Sequence, residues 1–266
     1  MKVLLTGSSG TVGSEMKQYL ESMRAGVFCW DRKRVPVDQY RPMEDFVREI
    51  RPDVIFHFAI AARPTGKENE GWLVNYEWTS ELAWIARVLN ARFIYTSSAM
   101  VFSDHAQGPF TVDSVPDASE GYGCEKRMSE SRVFHQNPNA TIARLGWQIG
   151  DRAGSNTMYD AFETLMKNEG RIRASTKWFP ACSFLADTVQ CLFNTLNHPP
   201  GLYMIDSNER WNYFEIATAL NEFHQSRWKI EPTEDFVFDQ RLIDTRLNPP
   251  SLKTRLPALS GGRRRI

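Results

Sequence analysis

Short apolar runs alternate with amphipathic stretches over the first 150 residues of the chain. Apolar runs of about four to eight residues suit buried strands, whereas apolar positions spaced three and four residues apart indicate helices. The runs predict five strands, at residues 2–6, 26–31, 52–59, 91–98 and 140–147. Helices are predicted between them, and the longest lie at 73–90 and from Tyr122 to about Gln136. This alternation predicts an α/β fold with a parallel sheet covered on both faces.

The alternation becomes less regular after Gly150. Helical patterns recur there, and the apolar run at 201–207 predicts one more strand of the main sheet. We therefore predict a main domain at residues 1–150 and a smaller C-terminal α/β lobe at 151–266, which returns one strand to the sheet.

Three glycines follow the first predicted strand and open the first predicted helix. Gly7, Gly10 and Gly13 form the pattern G-x-x-G-x-x-G. Glycine lets the backbone turn tightly and approach a pyrophosphate, and the helix N-terminus supplies N–H groups and a positive dipole end. The position directly after a buried strand favours a dinucleotide site over a simple glycine-rich turn. Together with the sheet, the loop predicts a Rossmann-type, doubly wound domain.

The end of the second predicted strand bears on the choice of cofactor. Asp31 lies 18 residues after Gly13, where a carboxylate typically binds the ribose hydroxyls of NAD. The basic residues that follow, Arg32, Lys33 and Arg34, are suited to a 2′-phosphate, although a solvated charged turn would have the same composition. We place Arg32 at the cofactor with Asp31. The segment leaves both NADP, which we favour, and NAD open.

A tyrosine, a lysine and a serine have the types and order required for ketone reduction. Tyr122 and Lys126 are four residues apart, on one face of a predicted helix. Tyrosine is a weak acid with a free pKa of ~10, and a lysine cation is expected to lower that pKa towards neutrality. Ser98, preceded by Thr96 and Ser97, ends a predicted strand at the edge that faces the ligand crevice, where a hydroxyl can polarise a carbonyl.

Charge and cysteine usage narrow the function classes. The 32 basic and 32 acidic residues balance, so a general nucleic-acid or membrane-surface role is not indicated. Four widely spaced cysteines without C-x-x-C, and no H-x-x-x-H, predict free thiols in a reducing compartment and no metal site. The N-terminal apolar run is too short for a signal peptide, and none approaches the roughly 18 residues of a membrane span. We expect a cytoplasmic protein.

With these residues in place, the chain resembles the extended short-chain dehydrogenase/reductase family over essentially its whole length. The segments that carry the resemblance are "TGSSGTVG", "PDVIFHFA", "IYTSSAMVF", "YGCEK" and "ARLGW". Within that family it is most similar to the dTDP-4-dehydrorhamnose reductase group, through Pro52–Ala59, "VFSDHAQGPFTVDS", Tyr122–Lys126, "FPACSFLADTV" and "GLYMIDS…WNYFEIA". The resemblance implies a Rossmann domain at 1–150 and a substrate-binding lobe at 151–266.

The resemblance also implies roles for individual residues. Ser98, Tyr122 and Lys126 would form the catalytic triad, and Lys126 would also bind the nicotinamide ribose. Dinucleotide contacts are implied for Tyr122 and for Gly7, Gly10, Thr11, Val12, Gly13, Asp31, Ala59, Ala61 and Thr96. Ser98, Met100 and Trp147 are expected at the substrate, although a core tryptophan is an equal reading of Trp147.

The implied activity is reduction of a nucleotide-linked 4-keto-6-deoxy sugar with NAD(P)H, in deoxysugar biosynthesis. The chain departs from the group in "SSAMVF" and in the segment after Ala59, where Arg63 and Lys67 are either diphosphate ligands or solvated. The alternatives are an NAD-dependent nucleotide-sugar epimerase and a non-catalytic, NADP-binding regulatory subunit. A dehydratase is disfavoured, because Ala99 and Met100 stand where dehydratases place acidic residues. Relatives often pair through two helices against the sheet, and the same pairing would make this protein a homodimer.

Overall fold

The computed structural model describes residues 1–61, 66–151 and 156–260, and a six-stranded sheet is its largest element. In chain order, the strands are β1 Lys2–Thr6, β2 Gly26–Cys29, β3 Val54–His57, β4 Arg92–Ser98, β5 Phe110–Thr111, β6 Thr141–Leu145, β7 Trp147–Ile149, β8 Ile172–Ser175, β9 Trp178–Phe179, β10 Cys182–Phe184, β11 Gly201–Ile205, β12 Ile230–Thr233, β13 Phe238–Asp239 and β14 Leu242–Ile243. The α-helices are α1 Thr11–Ser22, α2 Tyr40–Ile50, α3 Glu70–Trp72, α4 Trp78–Val88, α5 Gly121–Gln136, α6 Met158–Glu169, α7 Leu185–Asn194, α8 Tyr213–Phe223 and α9 Leu252–Arg255.

The order of the sheet is β11-β6-β4-β3-β1-β2. β1 pairs in parallel with β2 on one side and β3 on the other, so that Leu4 lies opposite both Phe28 and Ile55. The chain therefore runs outward from β1 to β2 and then in the opposite direction through β3, β4, β6 and β11. This is the doubly wound arrangement, whose ligand crevice lies where the strand order reverses, between β1 and β3. The predicted α/β fold class is confirmed.

Apolar residues on both faces of the central strands explain their place in the middle of the sheet. Every residue of β3 and the last four residues of β1 are buried, as a parallel sheet covered by helices requires. The core cluster around them includes Val47 of α2, Leu82 of α4 and Phe93 of β4. Tyr19 of α1 makes an edge-to-face contact with Phe193 of α7 at 5.5 Å.

Several element boundaries differ from those predicted, most clearly at three elements. β2 ends at Cys29 rather than at residue 31, because Trp30 turns into the core and its Nε1 donates to the Val35 carbonyl at 3.1 Å. The strand predicted at 140–147 is divided into β6 and β7. The helix predicted at 73–90 begins earlier, as α3, and reaches α4 through a π-helical turn at Leu73–Glu77.

Internal contacts divide the chain into two compact units. The first comprises Met1–Ser103, Val115–Arg144 and Leu192–Tyr203, and the second the described residues of Asp104–Ser114, Leu145–Cys191 and Met204–Ile266. The units thus alternate along the chain. The predicted division into residues 1–150, completed by a strand at 201–207, and residues 151–266 stays a prediction. The second unit contains parallel strand pairs β7–β10, β8–β12, β9–β13 and β5–β14.

The part of the chain that the structure describes contains neither a candidate membrane span nor a candidate metal site. None of the helices within residues 1–61, 66–151 and 156–260 is long and apolar enough to cross a membrane. Within the same ranges, no group of three or more His, Cys, Asp or Glu side chains is placed to hold a metal ion.

A buried ion pair joins α5 to the sheet. Arg144 of β6 donates from Nε and Nη2 to the two carboxylate oxygens of Glu130 on α5, at 2.9 and 2.7 Å. The two side chains are only 3% and 8% exposed. The guanidinium also lies 5.0 Å from the centre of the Phe102 ring. The pair fixes the helix that carries Tyr122 and Lys126.

We expect Glu130→Leu to lower the free energy of unfolding by about 3–5 kcal/mol, because Arg144 would remain buried without its counter-charge. Urea denaturation measures the change. The double variant Glu130→Leu/Arg144→Met should recover most of the loss, because it removes the uncompensated charge. A loss of less than about 1 kcal/mol in the single variant, the value typical of an exposed pair, would contradict a structural role for the ion pair.

Candidate active site

The glycine loop between β1 and α1 is packed too closely to accept side chains. Gly7 has φ +65°, and a Cβ added to it would lie 2.7 Å from the Ala59 nitrogen. A Cβ on Gly13 would lie 2.1 Å from the Gly7 carbonyl oxygen. At Gly10 the added Cβ meets only this same oxygen, at 3.3 Å, so the outer side of the loop is open.

The start of α1 completes this loop. Thr11 and Val12 are its first two residues, and no side chain caps the helix at Gly10. An open glycine loop that leads into a helix N-terminus fits a pyrophosphate, which accepts hydrogen bonds from backbone N–H groups. The residues present therefore suit a dinucleotide.

A buried chain of polar side chains ties the ends of the central strands together. Thr6 Oγ1 accepts the Ala59 N–H at 3.2 Å and contacts His57 Nδ1 at 2.8 Å, and His57 Nε2 contacts Thr79 Oγ1 at 2.9 Å. Thr96 Oγ1 donates to the His57 carbonyl at 3.2 Å. Burial holds the pKa of His57 well below its usual value, so its ring is neutral. The network fixes two of the predicted dinucleotide contacts, Ala59 and Thr96, at adjacent strand ends.

The two candidates for the adenosine end of the dinucleotide share one turn after β2. Asp31 is exposed, and its Oδ1 accepts the Lys33 N–H at 2.9 Å. The Arg32 guanidinium lies 3.5 Å from the Glu70 carboxylate. Lys67, one of the proposed diphosphate ligands, is paired with Asp38 at 2.7 Å. The other, at position 63, lies outside the described residues.

The catalytic candidates lie on two backbone turns in direct contact. Ser98 ends β4, and its Oγ accepts the Met100 N–H at 3.1 Å. Tyr122 and Lys126 lie in the first two turns of α5. A Cβ on Gly123 would lie 2.1 Å from the Met100 carbonyl oxygen, so only glycine lets α5 approach this turn. The glycine in Y-G-x-x-K is therefore a packing requirement.

Met100 itself is 52% exposed, in a 3₁₀ turn at Ala99–Val101. Its backbone, through the contacts with Ser98 and Gly123, has a clear structural role. Its predicted contact with substrate stays a prediction.

Lys126 is almost completely buried against β4. It is 1% exposed, its Nζ donates to the Thr96 carbonyl at 2.9 Å, and this atom lies 4.4 Å from the Tyr95 ring centre and 5.7 Å from that of Tyr122. Burial lowers the pKa of Lys126 from 10.5 to about 7, against the opposing influence of Glu130 and Glu125.

Burial also raises the pKa of Tyr122 above its usual value of 10. From the sequence we expect Lys126 to lower the tyrosine pKa. In the structure desolvation prevails, because it disfavours the lysine cation as well as the phenolate. Tyr122 therefore holds its proton at neutral pH, as a proton donor must.

Trp147, the remaining substrate candidate, lies on β7 in the second unit. It is half-buried and stacks on Trp178, with ring centres 6.1 Å apart, beside Tyr213 at 5.9 Å. It belongs to an aromatic cluster and keeps part of its surface exposed. Its contact with the sugar stays a prediction.

Two polar residues of the first unit are placed like site residues, although neither is among the site residues predicted from the sequence. Asn75 Oδ1 accepts the Ala61 N–H at 3.1 Å, and Asn75 Nδ2 donates to Glu125 Oε2 at 2.7 Å. The available signals were an asparagine on the apolar face of a predicted helix and a glutamate directly before Lys126.

The chain is similar in sequence to two relatives over most of its length. The spore coat polysaccharide biosynthesis protein SpsK of Bacillus subtilis (strain 168) is 23% identical over 224 residues, which cover 83% of this chain and 78% of SpsK. The methionine adenosyltransferase 2 subunit beta of Xenopus tropicalis is 30% identical over 240 residues, which cover 82% of this chain and 71% of that protein.

A solved structure shares the fold over nearly the whole chain. The dTDP-4-dehydrorhamnose reductase of Bacillus anthracis str. Ames, in complex with NADP, superimposes with a TM-score of 0.81. The match covers 96% of this chain and 95% of that chain, at 20% identity.

We expect Gly13→Ala to destabilise the fold by about 1–3 kcal/mol, because the new Cβ would clash with the Gly7 carbonyl oxygen and the backbone has to move. Gly10→Ala is the matched control, since its Cβ would lie 3.3 Å from the same oxygen, a tight contact that a shift of a few tenths of an ångström relieves. Thermal unfolding of both variants measures the difference. Equal melting temperatures would contradict the close packing of the loop.

The buried lysine predicts a pH-dependent stability. Between about pH 7 and 10.5 the unfolded chain binds a proton on Lys126 that the folded chain does not, so this group makes the free energy of unfolding rise with pH. The slope contributed approaches about 1.4 kcal/mol per pH unit. Below pH 7 both states are protonated, and the full cost of burying the cation remains.

Lys126→Met removes this titration. The stability of the wild type relative to Lys126→Met should therefore increase from pH 7 to 9 in denaturant unfolding at each pH. A difference that does not change with pH would contradict the lowered pKa.

The family model for the RmlD substrate binding domain matches residues 1–242. The matched range contains the glycine loop, the catalytic candidates Ser98, Tyr122 and Lys126, and Trp147. The predicted resemblance to the dTDP-4-dehydrorhamnose reductase group is confirmed, and the chain belongs to the RmlD substrate binding domain family within the extended short-chain dehydrogenases/reductases.

Proposed function

We propose that this protein is an NAD(P)H-dependent reductase of a nucleotide-linked 4-keto-6-deoxy sugar. The observation that carries the proposal is the contact between the Ser98 turn and the first turn of α5, which brings a protonated tyrosine and a buried lysine to the end of β4. The fold of a dTDP-4-dehydrorhamnose reductase over nearly the whole chain supports the sugar class. Membership in the RmlD family supports it further.

Tyr122, Ser98 and Lys126 each have a separate role in the reduction of the ketone. A reduced nicotinamide, when bound, would supply the hydride for the ketone carbon. Tyr122 donates its proton to the carbonyl oxygen, so that hydride and proton together convert the ketone into an alcohol. Ser98 accepts the Met100 N–H and keeps its own hydroxyl hydrogen for the substrate oxygen, where it stabilises the developing negative charge. Lys126, held by the Thr96 carbonyl, orients the pair and would bind the nicotinamide ribose.

We propose NADP as the preferred cofactor. The turn after β2 presents Arg32, Lys33 and Arg34 as exposed side chains, which suit a 2′-phosphate better than ribose hydroxyls alone. The similar reductase structure holds NADP. We also propose a cytoplasmic location, which the four free cysteines support.

Replacing Tyr122 with Phe should lower kcat by about 10²–10⁴-fold, because the proton donor is lost while the ring is kept. The assay is oxidation of NADPH and NADH, followed by absorbance, with dTDP-, UDP- and GDP-4-keto-6-deoxyhexoses. Cofactor affinity should stay close to that of the wild type. Tyr19→Phe is the matched control, since Tyr19 lies on α1 and contacts Phe193. Near-full turnover by Tyr122→Phe would refute the assignment.

A second candidate function is that of a non-catalytic, dinucleotide-binding subunit. The 30% identity to a methionine adenosyltransferase 2 subunit beta over 82% of this chain favours it. Dinucleotide binding without turnover of any keto sugar, together with co-elution with a methionine adenosyltransferase catalytic subunit, would establish this function. An epimerase would instead retain NAD through purification and interconvert sugars without net cofactor oxidation.

A further inference from the structure

A buried amide connects the segment after β3 to the helix of the catalytic candidates. Asn75 lies in the π-helical turn between α3 and α4 and is 2% exposed. Its Oδ1 accepts the N–H of Ala61, which follows β3, and its Nδ2 donates to the carboxylate of Glu125 on α5. The Ala61 N–H can only donate and a carboxylate can only accept, so the two partners fix the orientation of the amide.

Gly71 and Ser129 help to fix the position of the Glu125 carboxylate. A Cβ on Gly71 of α3 would lie 2.9 Å from Glu125 Oε1, so the absence of a side chain there makes room for the carboxylate. Ser129 Oγ, which carries one hydrogen, lies 2.6 Å from the Asn75 carbonyl oxygen and 2.7 Å from that of Glu125 on its own helix. Donation to Asn75 ties α5 to the π-helical turn. Backbone and side chain therefore fix the same contact independently.

We propose that Glu125 is a positioning residue for the dinucleotide site. Through Asn75 its carboxylate sets the position of the Ala61 peptide. Its negative charge favours the protonated forms of the adjacent Tyr122 and Lys126. The proposal deepens the proposed function and rests on it for the role of the site. The contact itself stands on the geometry of Asn75, Ala61 and Glu125.

The charge of Glu125 acts on the titratable groups around it. On α5 it raises the pKa of Tyr122 and opposes the lowering of the Lys126 pKa, and it also raises the pKa of Tyr95 on β4. On α3, Glu70, the residue before Gly71, is paired with Arg32. Removing the negative charge of Glu125 therefore lowers the pKa of both members of the catalytic pair.

Two substitutions separate the contact from the charge. Glu125→Ala removes both, whereas Glu125→Gln keeps an amide oxygen that accepts from Asn75 Nδ2 and removes only the charge. Glu120→Gln is the matched control, because Glu120 is the exposed residue before α5 and its side chain makes no capping hydrogen bond. The measurements are the Kd for NADPH, by fluorescence titration, and the pH profile of kcat.

We expect Glu125→Ala to weaken NADPH binding about tenfold, in line with the loss of a charged hydrogen bond, and Glu125→Gln to restore an affinity within about twofold of the wild type. In Glu125→Gln the alkaline limb of kcat should move to lower pH, because Tyr122 and Lys126 lose their protons earlier. Glu120→Gln should change neither quantity. Unchanged NADPH affinity in Glu125→Ala, or equal loss in Glu125→Ala and Glu125→Gln, would overturn the positioning role.

The outcomes also separate this proposal from the proposed function. If the wild type turns over no keto sugar, the reductase assignment fails, and the NADPH affinities of the three variants still decide the role of Glu125. If the wild type is active and the affinities of Glu125→Ala and wild type agree, the proposal about Glu125 fails and the reductase assignment stands. Circular dichroism melts of all variants confirm that each is folded before the comparison is made.

Discussion

The close approach of α5 to the turn after β4 is the constraint on which the candidate site depends. The Met100 carbonyl occupies the space where a side chain of residue 123 would stand. This contact places the first turn of α5 against the end of β4 and brings Lys126 within hydrogen-bond distance of the Thr96 carbonyl. The ion pair between Glu130 and Arg144, two turns further along the same helix side, holds the helix in that position.

Burial has opposite consequences for the two groups brought together here. It lowers the pKa of a lysine that is charged in water to about 7, and it makes a tyrosine hold its proton more firmly. Both effects disfavour the charged form of the group. His57, next to the same strand ends, is neutral for the same reason, because burial disfavours its charged form. The protonation states of the polar groups that meet at this edge of the sheet thus depend mainly on desolvation and on hydrogen bonds to the backbone.

The central sheet could be predicted from the sequence because its strands are continuous apolar runs with turn residues between them. The glycine loop and the Tyr122–Lys126 spacing could be predicted for a similar reason, since each is a local pattern with a local physical cause. The pKa of Tyr122 could not, because it depends on how deeply the helix sinks against β4. Asn75 and Glu125 were missed because 50 residues separate the partners of their hydrogen bond along the chain. The short strands of the second unit, many only two or three residues long, carry too few side chains for a periodic pattern.

The π-helical turn at Leu73–Glu77 has a consequence for how this helix tolerates change in length. A π-turn accommodates one extra residue within an otherwise regular helix. Each residue of an α-helix advances the helix by about 100°, at 3.6 residues per turn. Loss of one residue here would restore the regular ladder but rotate the preceding turn, with Gly71, relative to α4 by that angle. The π-turn thus sets the rotation at which Gly71 faces the Glu125 carboxylate, while the face of α4 that bears Leu82 stays in the core.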